Sequence, residues 1–410
     1  MKKLLLVLLI LSLFINHLNA NEKDLQIIQK DKKEYRLLDK ESIQTRQQSQ
    51  KYDWISPIDL SGNIGRNHSF SDENSRNLNN KNTKSASIGF TQSIFESGGI
   101  GFKMDYADNR FKYEMLSWEN QNSQLIYTIY NTLLDIKKLK LEINQNDYRI
   151  VNKDIELIIK KIQYEAGKTD IIELNNAIMS KNLILKEEIA LKNSLKEKEQ
   201  ELAKYTDLKY DEIEILDFQE TNKEIFLDKN YSILEADAKV EMLNSEYKIK
   251  KSQYLPKLSL SAKASYSSQD EKFNSMINDT NKDDATSSGS LILSMPLYDY
   301  TKSSKIQESK IEVLKQKALV NDLKNETAFE YEQIFTKIDT YLKQNETINK
   351  NIKLYEELIG ANKISSEAGM TSKYDLEILE NTKTINEFDI LINKINILQQ
   401  YAKLYFKIKN

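Results

Sequence analysis

Residues 164–174 read YEAGKTDIIEL, and the Gly-Lys-Thr inside them is the closing part of a phosphate-binding loop. Such a loop needs G-x-x-x-x-G-K-[ST], because its first glycine opens the nest of backbone N–H groups that cradles phosphate. Ile162 stands where that glycine belongs, and nothing upstream reads as the strand the loop should leave. A second stretch, SEAGMTSKYDL at 366–376, repeats Glu-Ala-Gly-x-Thr 202 residues later, with Met370 in place of the lysine. The chain builds this unit twice, and neither copy is a nucleotide site.

Other chemistry is excluded by residue type. There is no cysteine, and His68 is the one histidine beyond residue 20, so neither a transition-metal site nor a catalytic dyad is expected, and no cofactor. What the repeated units do offer is helix punctuation. Asp170-x-x-Glu173 and Ser372-x-x-Asp375 read as capping boxes, with Gly167 and Gly369 as left-handed residues closing the preceding helices.

Composition then says what those tips sit on. The first residues, MKKLLLVLLILSLFINHLNA, read as a secretory signal peptide (1–20) cut after Ala20. No later apolar run is long enough for a spanning helix, so any membrane insertion must be as β-strands. With 59 basic and 62 acidic residues in balance and no basic face, nucleic acid is not an expected partner. There are 10 glycines and 3 prolines, where average usage gives roughly 29 and 20. Most of them cluster in or beside two short segments. The breaker-free stretches between read as long helices.

Along the chain, 22–53 is helical in pattern. SPIDLSGNIGRNH then alternates Ile58, Leu60 and Ile64 with polar residues, and SASIGFTQSIF places Ile88 and Phe90 on one side. Each reads as a strand of membrane-spanning length, the two joined by a polar loop at roughly 69–84. A helix from about 97 to 166 carries Ile126, Ile129, Leu133, Ile136, Ile143 and Ile150; Gly167 stops it, and a partner helix runs back over about 170–205. A mixed segment, 206–228, follows. The order then recurs: helix 229–254; LPKLSLSAKASY with Leu258 and Leu260; a polar loop, 267–287; SLILSMPLY with Leu291 and Leu293; and a long helix, 301–367. Its seam, Ile334, Ile338, Tyr341, Asn345, Ile348, Ile352, Tyr355 and Ile359, is that of a coiled coil with one polar position. Gly369 ends it before a last helix.

The halves align at offsets of 199 (Pro57/Pro256), 203 (Phe95/Tyr298) and 202 (Gly167/Gly369). The expected organisation is a first repeat, 21–205, with a strand pair at about 57–95 and a tip at 167. A connecting segment, 206–228, precedes a second repeat, 229–410, with a strand pair at about 257–298 and a tip at 369. The fold class is mainly α with a small β part. Four strands per chain cannot close a barrel with a lumen, and unpaired edges are not tolerated in lipid, so copies must associate. Three copies give twelve strands, with the ~100 Å helices as a tube below them.

In the two tip motifs, in LPKLSLSA, in PLYDYTKS with its earlier counterpart SIFESGG, and in the duplication itself, the sequence resembles the TolC-like outer-membrane efflux family. The resemblance covers nearly the whole chain beyond the signal peptide. It departs from the family where Ser93 matches Pro296 and where Tyr300-Thr301 replaces a glycine. It implies a homotrimer in the outer membrane that reaches through the periplasm to a periplasmic adaptor and an inner-membrane transporter. The function so implied is a passive export duct of a tripartite efflux pump or a type I secretion system, not an enzyme. The rival is a periplasmic coiled-coil adaptor, which should have one hairpin and Gly-rich β-domains; this chain has two hairpins and few glycines.

The resemblance also gives the tips a role. Three copies would gather Glu173 and Asp375 around the periplasmic entrance. In the family the carboxylate matching Glu173 bonds a tyrosine and an arginine, but those positions are Ser366 and Thr371 here. Tyr164, Lys168 and Lys373 are the nearby substitutes. Ala166, Gly167 and Thr169, with Ala368, Gly369 and Thr371, form the turns expected to meet an adaptor. The aromatics Phe90, Phe95, Tyr254, Tyr266, Tyr298 and Tyr300 belong either to an interfacial girdle or to the packing of the strand-to-helix junctions.

Overall fold

The computed structural model describes residues 25–69, 79–214, 216, 218, 220–270, 282–367 and 372–409. The expected signal peptide, most of the two strand-to-strand loops and the centre of the second tip lie outside these. After a 3-10 turn the order is α1 (Lys30–Tyr52), β1 (Asp59–Ser69), β2 (Asn79–Phe95), α2 (Gly99–Glu165) and α3 (Ile171–Ala203). Then come α4 (Lys223–Asp228), α5 (Tyr231–Ser252), β3 (Lys257–Asp270), β4 (Lys282–Ser294), α6 (Lys302–Glu367) and α7 (Lys373–Tyr405). The chain divides into two compact bodies that cut across this order. One holds the sheet with the helix ends flanking it (41–115 and 236–320), the other the hairpins (up to 40, 116–235 and 321–410).

In the sheet body the four strands run in sequence order, each antiparallel to the next. Side chains alternate across a strand, and directly paired residues share a face. One face therefore carries Leu60, Ile64, Ile88, Phe90, Leu258, Leu260, Leu291 and Leu293. The other is lined with hydroxyls that pair across the strands: Ser61 with Ser87 at 2.8 Å, Thr91 with Ser261 at 3.1 Å, Ser265 with Thr286 at 2.8 Å.

Two expectations need correcting here. Ile58 lies just outside β1, which begins at Asp59. Before it, the Ser56 N–H donates to the Gln92 side chain (2.9 Å), Gln92 donates back to the Trp54 carbonyl (3.0 Å), and Pro57 has no N–H to give a ladder. The strands also run well into the segments expected as polar loops: β2 starts at Asn79 rather than about 85, β3 continues to Asp270 and β4 starts at Lys282. A backbone ladder needs no apolar side chain, so polar Asn, Ser and Lys residues continue it unseen by hydrophobic pattern.

Between β2 and α2 the chain turns through Ser97 and Gly98, at φ of 51° and 89°. The Ser97 hydroxyl donates to the Pro256 carbonyl at 2.6 Å, and a Cβ at Gly98 would lie 3.1 Å from the Phe102 ring. The helix therefore starts at Gly99, later than expected.

In the hairpin body the core of α2 is Ile126, Ile129, Leu133, Leu134 and Ile136, all buried. A second cluster joins Phe226 of α4 to Ile334 and Ile338 of α6 and to Leu404 and Ile408. Residues beyond α7 return along the start of α5: Asn230 bridges Ile408, and the Lys409 N–H donates to the Lys229 carbonyl at 2.8 Å. The α6 seam stands out in its burial. Tyr341, Asn345, Ile348, Ile352, Tyr355 and Ile359 are half-buried while almost all their neighbours are exposed. Asn345 accepts from the Asn393 amide of α7 at 2.9 Å, so the polar seam position has its own partner.

Candidate functional site

The first tip follows from local rules. Past the end of α2, Gly167 takes φ +68°, and the Lys168 N–H reaches the Gln163 carbonyl (2.8 Å) while the Gly167 N–H reaches that of Tyr164 (2.9 Å). These two bonds close the last helical carbonyls in a Schellman turn, which a left-handed glycine permits. Asp170 then caps α3, its Oδ1 accepting the Glu173 N–H at 2.9 Å. Gly167 follows a helix and precedes a turn, so the Gly-Lys-Thr is not a phosphate loop in structure either.

The carboxylate of Glu173 does something the capping box does not foresee. It pairs with Lys160 of α2 at 3.1 Å. Lys160 lies seven residues before Gly167 and Glu173 six after it. That near-mirror placement about the turn was the signal available in the sequence. Tyr164, Lys168 and Lys373 are exposed, and among the described residues none of them bonds Glu173 or Asp375.

At the second tip Ser372 caps α7, its hydroxyl accepting the Tyr374 N–H at 3.1 Å. Asp375 is exposed in the first turn, where the partial positive charge of the helix N-terminus favours an acid. The position matching Lys160 is Asn362, whose amide donates to its own helix at Leu358. Among the described residues the ion pair nearest this tip joins Lys363 to Glu380 at 3.4 Å. Ala368, Gly369 and Thr371 lie outside the described residues; on the first tip, Ala166 is exposed and Thr169 half-buried.

The sheet is the other functional surface. On its apolar face Leu60 is 79% and Leu293 73% exposed, with Ile64, Ile88 and Leu291 also open. A patch of this kind on a monomer marks contact with membrane or partner. The junction aromatics divide. Tyr254 is buried, with the Lys302 ammonium 5.3 Å from its ring, whereas Phe95, Tyr266, Tyr298 and Tyr300 are exposed and Phe90 is half-buried. Among the described residues no helix is long and apolar enough to cross a membrane, and no group of His, Cys, Asp and Glu could hold a metal ion.

No curated protein sequence matches the chain significantly. Residues 224–403, most of the second repeat, match the model of the family described as outer membrane efflux protein. In structure the chain is similar to the outer membrane protein VceC of Vibrio cholerae, with 12% identity and a TM-score of 0.72 over 93% of this chain and 94% of that one. The outer membrane channel CmeC of Campylobacter jejuni gives 12% and 0.70 over 92% and 84%. The open-state channel MtrE of Neisseria gonorrhoeae gives 11% and 0.68 over 94% and 87%. These identities carry the fold alone, and they carry it along nearly the whole chain. The family match therefore lies within residues 224–403, and the likeness in fold extends along nearly the whole chain.

Proposed function

We propose that the chain is one third of a passive export duct. Three copies join their sheets into a barrel in the outer membrane, and their helical hairpins continue it as a tunnel through the periplasm. The observation that carries this is the sheet. Its strands are 11, 17, 14 and 13 residues long, enough for a tilted crossing that needs about 9–11. One face is apolar and exposed, the other is paved with hydroxyls, and both edges are open. A lipid-facing wall, a wet lumen and edges that require copies are the three conditions of a barrel built from several chains. Energy and cargo choice then belong to an inner-membrane transporter reached through a periplasmic adaptor, as in a tripartite efflux pump or a type I secretion system.

Under this reading the tips are the periplasmic mouth, and the two acids there differ. Glu173 is balanced by Lys160, while Asp375 has no lysine at the matching position. Acids around an opening favour cations. In planar bilayers under a KCl gradient, the duct is expected to prefer K⁺. Asp375→Asn should move the reversal potential toward zero more than Glu173→Gln does. No conductance from the purified complex would contradict the duct; an equal response to both substitutions would contradict the assignment of the mouth.

A further inference from the structure

The two open edges of the sheet are β1 and β4, and in an all-antiparallel meander β1 begins at the end of the sheet where β4 finishes. Inside the chain, the β2–β3 pairing already joins a second strand of one repeat to a first strand of the next. It is a template for joining β4 of one copy to β1 of another. From this template we infer the register of the contact between copies: Leu291 of one chain opposite Ile64 of the next, with Leu293 opposite Gly62 and Met295 opposite Leu60. This deepens the duct reading and rests on it.

The derivation uses the faces of the sheet. Phe95 matches Tyr298 at an offset of 203, so Ile88 of β2 matches Leu291 of β4. For the first strands, the prolines suggest 199, but that offset would set Leu60 against Ser259, on the opposite face. Leu60 shares its face with Ile88, Ala264 and hence Leu260, so the strand offset is even. Of the even offsets beside 199, 200 matches Ile58 to Leu258, Leu60 to Leu260 and Ser61 to Ser261, whereas 198 sets Ile58 against Pro256 and Gly62 against Leu260. Ile88 pairs with Ala264, Phe90 with Ala262 and Gln92 with Leu260. Carried over, these become the three pairs above.

Independent features agree with that register. Leu60, Ile64, Leu291 and Leu293 are among the most exposed side chains of the sheet, and the register brings all four to the joint. On the hydroxyl face, Thr91 bonds Ser261 at 3.1 Å, and the equivalent pair between copies is Ser294 with Ser61, which continues the row. The β2–β3 ladder shifts register between Ser93 and Phe95, and the position matching Ser93 is Pro296, a residue that cannot donate to a ladder. Past that shift, Tyr298 (85% exposed) falls against Ile58 (69%), just as Phe95 pairs with Leu258. The contact covers apolar side chains of the sheet that are exposed among the described residues.

The chain has no cysteine, so disulfide trapping is clean. The double variant Leu291→Cys with Ile64→Cys is oxidised in isolated membranes with copper phenanthroline and run without reductant. A two-residue slip moves partners by about 6.8 Å along the strand, beyond the ~7 Å Cα separation a disulfide can span once the strand spacing is added. Leu291→Cys with Gly62→Cys and Leu291→Cys with Arg66→Cys therefore report the slipped registers. The inference expects covalent dimers and trimers from the Ile64 pair and single-cysteine background from the other two. A ladder from either slipped pair alone overturns the register. Background from all three, with the complex still a trimer by light scattering, overturns the joint while leaving the duct standing. A monomer by light scattering removes the duct reading itself.

Discussion

Helix α2 has two helical neighbours that occupy the same place in the two repeats, and it holds them by different chemistry. Toward α3 its contacts are mostly ionic: Lys160 with Glu173 at 3.1 Å, Arg149 with Glu187 at 3.5 Å, Asp135 with Lys198 at 3.3 Å, and Asp154 with Lys181. Toward α7 they are amides. Asn381 donates to Asn152 at 2.9 Å, Gln145 to Asp389 at 2.7 Å, and Gln399 to Asp135 at 2.7 Å. Gln145 and Asn152 are buried, whereas the ion pairs sit in solvent. Buried amides need partners at fixed positions, so they set the register of α7. Exposed ion pairs tolerate slack and are screened by salt. Helix α3 also keeps Ile171, Ile172, Met179, Leu183 and Ile189 exposed, while α7 exposes few large apolar residues. The duplication gave one architecture, and divergence put buried amide contacts on the α7 side of α2 and left ion pairs and exposed apolar residues on the α3 side.

The largest effect is expected at another amide contact of α7, the polar rung it shares with α6 inside the second hairpin. Asn393→Leu leaves Asn345 facing a hydrocarbon and is expected to cost about 1–3 kcal/mol, whereas Asn345→Leu with Asn393→Leu should recover most of it. Equal losses in single and double variants, read as thermal midpoints of the solubilised protein, would show that the amides do not act as a pair.

A second test uses pH. Burial would raise the Glu330 carboxyl, but hydrogen bonds from Lys403 (2.8 Å) and Lys407 outweigh it and hold it below the usual range. A carboxylate with a folded pKa below its unfolded value of about 4.3 stabilises the fold above that pH, and the contribution fades as pH falls through the folded value. Glu330→Gln should therefore lower the midpoint at pH 7 and converge with the parent in acid. Parallel curves from pH 7 to pH 3 would contradict this. Smallest is the exposed ionic contact to α3: Lys181→Ala should change stability by at most about 1 kcal/mol, and the difference should shrink in high salt.

Much of this was legible in the sequence because helices announce themselves. Gly167 and Asp170 mark the tip through backbone geometry, and the α6 seam from Ile334 to Ile359 is a period that only a packed helix produces. Strand ends were less legible. Asn79–Ser85 and Ser267–Asp270 are polar on both faces, so nothing in residue type separates a paired strand from a loop. The partner of Glu173 was hidden for a different reason. The turn at Gly167 places Lys160 on the facing helix, but which facing side chain meets Glu173 depends on how the two helices are rotated against each other, which residue type does not record. The amide rungs between α2 and α7 join residues more than 200 apart, which no local pattern records.

The most direct test of the account is the protein mass of the complex, measured by light scattering with detergent subtracted, after extraction from the outer-membrane fraction. The account predicts a trimer that requires detergent for release. A monomer or dimer that leaves the cell envelope without detergent would contradict it, because the exposed face of the sheet would then have to be covered by something other than lipid and further copies of the chain.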